Sequence, residues 1–142
     1  MADIDLAERF AATDLVHLFF QLVDDGRAAE TGRLFTADAT LTFGPGAPKP
    51  GTIAGPDIAA AMVARQAQRH VTTRHVLSNL AVAAIGKDEV QVRSLLTLFR
   101  SETEGRDSYP ASVADVEDRL VRTGDGWRIQ ARTITPVFNR VG

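Results

Sequence analysis

The chain has 142 residues, 44% of them apolar and 24% charged, with 16 basic against 18 acidic side chains and a net charge of −2. That length and balance describe one globular domain, 1–142, able to bury a core without a staple; they exclude a disordered tail and give no basic excess for nucleic acid. Cysteine is absent, which excludes disulfides, thiolate nucleophiles and cysteine-based metal or iron–sulfur sites.

Met1 to Glu8 is acidic and lacks the basic start and apolar run of a signal peptide. No apolar stretch approaches the roughly 20 residues that span a bilayer, so no membrane association is expected and a cytoplasmic protein is the default reading. Leu15, Leu18, Phe19 and Leu22 recur at helical spacing, and Leu6 and Phe10 extend that face backward. Gly26 stops this helix. A short second helix is expected over 28–35, with Thr31, Leu34 and Phe35 inward, and 38–43 alternates as a strand.

Gly44-Pro45-Gly46-Ala47-Pro48-Lys49-Pro50-Gly51 forbids regular structure and reads as a stiff loop bordering a pocket mouth. Gly55-Pro56-Asp57 opens a third helix, with proline at its first position and an acid at its positive end. Ile58, Ala61 and Met62 form its apolar face, and His70 ends it as a surface residue. The remainder reads as sheet over 72–85, 89–102, 111–123 and 127–138. Gly86-Lys87-Asp88 and Gly124-Asp125-Gly126 are tight hairpin signals, and 104–110 is a looser connection. Three helices followed by long antiparallel strands give an α+β fold, with helices on one face of a curved sheet.

The strands are apolar on both faces. Strict alternation puts Val76, Leu80 and Val82 on one face and Leu77, Ala81 and Ala83 on the other. Val90, Val92, Leu96 and Leu98 likewise oppose Leu95 and Phe99. The helices cover one face; a second copy of the chain is the simplest cover for the outer one, so a homodimer or higher assembly is expected. The competing reading is a sheet that wraps on itself.

Several stretches taken in order carry a family resemblance: Asp24-Asp25-Gly26 after the first helix, Leu34-Phe35 and Asp38-Ala39 before the first strand, Thr73-Arg74-His75 with Ser78-Asn79, and Gly126-Trp127-Arg128-Ile129. Over about Asp5 to Phe138 the chain resembles the SnoaL-like polyketide cyclase and scytalone dehydratase-like branch of the nuclear transport factor 2-like superfamily. That resemblance implies a cone-shaped, strongly curved, mainly antiparallel sheet plugged by helices (a cystatin-like α+β barrel) with an apolar pocket inside. It implies a lyase, isomerase or cyclase working by acid–base chemistry on an aromatic, polyketide-like or steroid-like compound. The dioxygenase β subunits among the relatives exemplify the alternative, a non-catalytic ligand-binding or subunit-association module.

Strand alternation puts Thr73, His75, Leu77 and Asn79 on one face. In scytalone dehydratase-like relatives the similarly placed histidine faces the pocket and acts as general acid/base, a role suited to a group that titrates near neutral pH. His75 is therefore the catalytic candidate, the competing reading being a core histidine satisfied by a local partner. The relatives' Tyr-Asp pair on the first helix falls here at Phe20 and Gln21, which removes the carboxylate that would orient the acid. Ketosteroid isomerase's tyrosine and base fall near Phe19 and Phe43, and phenylalanine cannot exchange a proton. His17, Phe20, Gln21, Phe43, Asn79 and Phe99 remain as ligand-binding candidates. His17 and Gln21 either join His75 in a polar cluster or form, with Asp14 and Asp24, a solvated stripe. Asp118 and Arg132 lie equidistant from the Asp125 turn and are expected to pair, as a structural ion pair or as a charged pocket floor. Three scattered histidines and no phosphate-cradling or dinucleotide motif give no expectation of a metal or cofactor.

Overall fold

The computed structural model describes residues 4–102 and 110–140; the connection expected at 104–110 falls outside them up to its last residue. Helix α1 runs Leu6–Asp24. The Asp5 carboxylate caps it by accepting the Glu8 N–H at 2.9 Å. Its buried face carries Leu15, Val16, Phe19, Phe20, Leu22 and Val23. Gly26, at φ +77°, takes the left-handed turn that ends it, a conformation open to glycine at no steric cost.

The expected second helix is a 3-10 helix, Ala28–Leu34, with Thr31, Leu34 and Phe35 buried. Strand β1 covers Phe35–Phe43 and begins earlier than the sequence pattern shows. The loop from Gly44 packs on the end of the last strand, where the Asn139 side-chain amide donates to the Gly46 carbonyl at 2.9 Å. A short strand missing from the sequence reading follows: β2, Gly51–Ala54, pairs antiparallel with β1. Helix α2, Pro56–Ala67, starts at the expected proline. Its inward stripe is Ile58 and Met62, continued by half-buried Arg65 and Gln66, while Ala61 is exposed.

The long strands are β3 (Thr72–Gly86), β4 (Glu89–Ser101), β5 (Pro110–Thr123) and β6 (Gly126–Asn139). They form one six-stranded sheet in the order β2-β1-β6-β5-β4-β3. Among the described residues only the β1–β6 pairing is parallel. This is the expected α+β class: three helices on a mainly antiparallel sheet. Helix α1 lies on the inner face against β3, β4 and β6, and α2 packs on the 3-10 helix. The core between them holds Phe19, Phe20, Leu34, Ile58, Val92, Leu96, Val116, Leu120 and Ile129. Among the described residues no helix is long and apolar enough to cross a membrane.

Strict alternation fails once in β3. Ser78 pairs with Leu95 but Ala81 pairs with Arg93, so one extra residue is accommodated between them. Asn79 takes φ +56° there, a conformation asparagine tolerates better than most residues. The bulge reverses parity beyond it. Leu77, Leu80 and Val82 therefore pack on the core side, while Val76, Ala81 and Ala83 are exposed on the other. The expected grouping of Val76 with Leu80 and Val82 is corrected accordingly.

Candidate functional site

Helix α1 ends over the start of edge strand β3, and there the two elements exchange polar contacts. His75 Nδ1 lies 2.6 Å from Asp24 Oδ1. The His75 backbone N–H donates to the other oxygen, Oδ2, at 2.8 Å, and the Thr73 hydroxyl donates to Oδ1 at 2.8 Å. One carboxylate thus accepts from three donors of one strand. Thr73 in turn accepts from Arg65 Nη2 of α2 at 3.3 Å, and Arg74 Nη1 donates to the Asp24 carbonyl at 3.3 Å and to the Thr73 carbonyl at 2.6 Å.

The side chains of His75 and Asp24 keep only 13% and 11% of their exposure, so the pair sits at the edge of the core. Burial raises the Asp24 carboxyl. The His75 ring, the His75 N–H and the Thr73 hydroxyl together outweigh burial and hold it below the ordinary aspartate value. An ionised carboxylate can only accept, so the neutral imidazole carries its proton on Nδ1 and leaves Nε2 as the basic nitrogen. The other flank of the ring is apolar: Phe20 packs against it with centroids 4.9 Å apart.

The expected site residues separate as follows. His75 and Phe20 come together. Gln21 is exposed on α1 and takes no part. His17 Nδ1 is engaged 3.0 Å from the Thr13 carbonyl, one turn back on its own helix. The His17–Gln21–His75 cluster is not formed. Asn79 leaves the face of His75 because of the bulge, and Phe99 opposes Arg74, not His75, in the β3–β4 register, which puts it on the other face. Phe43 is half-buried at the end of β1, packed on the core. Pro45, Pro48 and Pro50 line neither of the two clefts described below, so the stiff-rim expectation for their loop is not met there.

Asp118 and Arg132 are register partners and pair as expected, at 2.5 Å and 3.3 Å, both fully buried. The Arg132 guanidinium lies over the rings of Phe19 and Phe20 at 4.4 Å and 4.7 Å. Burial pushes the Asp118 carboxyl upward, and the charge and hydrogen bonds of Arg132 pull it part of the way back. Arg132 Nη1 is buried without a partner. Phe20 therefore separates the surface-edge pair, Asp24–His75, from the interior pair, Asp118–Arg132.

Sequence reasoning missed Asp24, Thr73 and Arg65. A signal for Asp24 was present: it follows Phe20 by four residues, one turn on the same helical face, whereas Gln21 is rotated toward solvent. The carboxylate read as lost on the first helix is supplied one turn later.

Surface clefts among the described residues include two. One of about 300 Å³ is lined by Asp24, Asp25, Arg65, Gln66, Arg69 and Arg74. The other, about 470 Å³, lies along the outer sheet face and includes Asn79, Arg93, Leu95, Asp115, Glu117 and Thr133. Among the described residues no three acidic or histidine side chains converge as metal ligands do.

The profile of the SnoaL-like domain family matches residues 5–133. No curated protein matches the chain by sequence. Solved structures with similar folds include three from Novosphingobium aromaticivorans. A candidate scytalone dehydratase superposes with a TM-score of 0.81 at 18% identity, covering 95% of this chain and 87% of that one. The β subunit of a candidate aromatic-ring-hydroxylating dioxygenase gives 0.79 at 18% identity, covering 97% and 95%. A nuclear transport factor 2-like protein with a cystatin-like fold gives 0.77 at 23% identity, covering 96% and 86%. At these identities the likeness establishes the fold alone.

Proposed function

The chain belongs to the SnoaL-like domain family, and we propose that it is a cytoplasmic small-molecule enzyme, a lyase, isomerase or cyclase, with His75 as its general acid/base and Asp24 as the group that orients it. The single observation carrying this reading is the 2.6 Å contact between His75 Nδ1 and Asp24 Oδ1. A carboxylate there fixes the tautomer, aims Nε2 and stabilises the imidazolium once Nε2 has taken a proton. For an elimination, Nε2 removes the proton next to a substrate carbonyl, the electron pair forms the enolate, and the same proton is returned to the departing hydroxyl as water leaves. An isomerisation or ring closure uses the same shuttle with a different acceptor. The proposed skeleton is aromatic, polyketide-like or steroid-like, in keeping with the likeness to a candidate scytalone dehydratase.

The test is a screen of aromatic β-hydroxyketones for water loss by mass spectrometry, with His75→Gln and Asp24→Asn beside the wild type. Loss of the shuttle should cost on the order of 10²–10⁴ in rate, with ligand affinity retained. Near-normal turnover in His75→Gln would refute the assignment. A second reading, a ligand-binding or subunit-association module, draws on the close packing of Phe20 against the His75 ring and on the likeness to a dioxygenase β subunit. Skeletons that bind but are not turned over by the wild type would favour it.

A further inference from the structure

The cleft beside Asp24 has a composition that the acid–base pair does not explain. Three guanidiniums line it: Arg65 and Arg69 from α2 and its C-terminal end, and Arg74 from β3. The ion pairs of the described residues are Arg27–Glu30, Asp24–His75, Arg100–Glu102, Arg119–Glu89, Arg122 with Glu8 and Asp88, and Arg132–Asp118. None of the three cleft arginines is among them. Arg65 reaches only the Thr73 hydroxyl, and Arg74 only two backbone carbonyls. Arg69 is exposed. Arginines elsewhere are also without carboxylate partners, but here three share one concavity with the carboxylate that holds His75.

We propose that this cleft binds the carboxylate of a small organic acid, a ligand site that goes beyond the acid–base reading and does not depend on it. Three guanidiniums against the carboxylates of Asp24 and Asp25 leave one positive charge in the cleft. That balance matches a singly charged planar carboxylate better than a phosphate. The guanidinium fork matches the carboxylate edge with two parallel hydrogen bonds. The side-chain oxygen of Gln66 accepts the Ala29 N–H at 2.9 Å, which leaves its NH₂ group to donate to a ligand. Burial, and then the charge of Arg100, lower Arg65 from the ordinary guanidinium value, and the charge of Asp24 offsets part of this; a bound anion would add to that offset. The volume of about 300 Å³ holds an acid group with a small ring.

The experiment is calorimetric titration of the full chain, at fixed ionic strength, with benzoate, with its neutral isostere benzamide, and with inorganic phosphate. Benzoate should bind saturably, and benzamide should not. Affinity for benzoate should fall about tenfold or more in Arg69→Gln and in Arg74→Gln, the measure of a lost charge-assisted contact. Arg69 is exposed, so its variant tests the cleft without risk to folding; a melting curve checks Arg74→Gln. Absence of saturable benzoate binding up to tens of millimolar would overturn the proposal, as would wild-type affinity in both variants. Phosphate binding tighter than benzoate would overturn the carboxylate assignment. Benzoate affinity retained in His75→Gln upholds the cleft whatever becomes of turnover, which separates failure of this proposal from failure of the acid–base reading.

Discussion

Asp24 sits where helix and sheet meet, and its carboxylate is engaged three times over, by His75 Nδ1, His75 N–H and Thr73 Oγ1. Because the folded carboxyl lies below the ordinary aspartate value, the unfolded chain binds this proton more tightly than the native one. The stability it contributes is therefore complete above the unfolded value of about 3.9 and is lost as pH falls through the folded value. Asp24→Asn should remove that part of the acid limb: urea midpoints of the variant and the wild type should converge as pH drops below about 4, with the variant less stable at neutral pH. A constant difference at every pH would refute the linkage. Legibility at this scale was uneven. His75 was readable from its strand and from the family resemblance, and the Asp118–Arg132 pair from its distance to the turn. Asp24 was not singled out, because its neighbours on α1 form a polar stripe. Half-burial at a helix end is decided by what packs there, and in this protein that is β3, distant in sequence.

Among the elements, the long hairpins followed their turn signals to within a residue or two at each end, since Gly86-Lys87-Asp88 and Gly124-Asp125-Gly126 punctuate otherwise continuous β-branched runs. What the pattern could not show was the bulge at Asn79, because alternation carries no mark of an inserted residue when both faces are apolar. The bulge matters to the site. It allows Thr73, His75 and Leu77 to face inward at one end of β3 and Leu80 and Val82 to do so at the other. At φ +56° asparagine and glycine are tolerated and a β-branched residue is not. Asn79→Gly should stay within about 1 kcal/mol of the wild type, whereas Asn79→Val should cost about 1–3 kcal/mol, both read from urea denaturation. If valine is as well tolerated as glycine, the bulge does not depend on this residue. Strand β2 escaped notice for a different reason: four residues beside a proline-rich loop hold too short a pattern, and pairing with β1 alone defines them.

The whole molecule presents an outer sheet face that the helices do not cover, and the bulge changes what that face is made of. Leu80 and Val82 turn inward, so the surface is less apolar than strict alternation implies. It presents Val76 and Ala81 of β3, Arg93 and Leu95 of β4, Asp115 and Glu117 of β5, and Thr133 and Thr135 of β6, several of them around the groove of about 470 Å³. Arg93 and Glu117 are register partners, yet Glu117 accepts from Gln91 and Arg93 forms none of the ion pairs of the described residues. We propose that a second copy covers this face about a two-fold axis through the groove, bringing β4 of one protomer over β5 of the other so that each Arg93 meets the partner's acidic row. Self-complementarity of that kind is what a two-fold interface requires, and a sheet of this breadth can supply the standard interface of roughly 1,600 Å² in total. Sedimentation velocity at micromolar concentration should give a dimer. Arg93→Glu places like charges opposite one another and should shift the boundary to the monomer, while Arg93→Glu combined with Glu117→Arg should restore the dimer. A wild-type monomer, or a dimer indifferent to Arg93→Glu, would show that this face is not the interface.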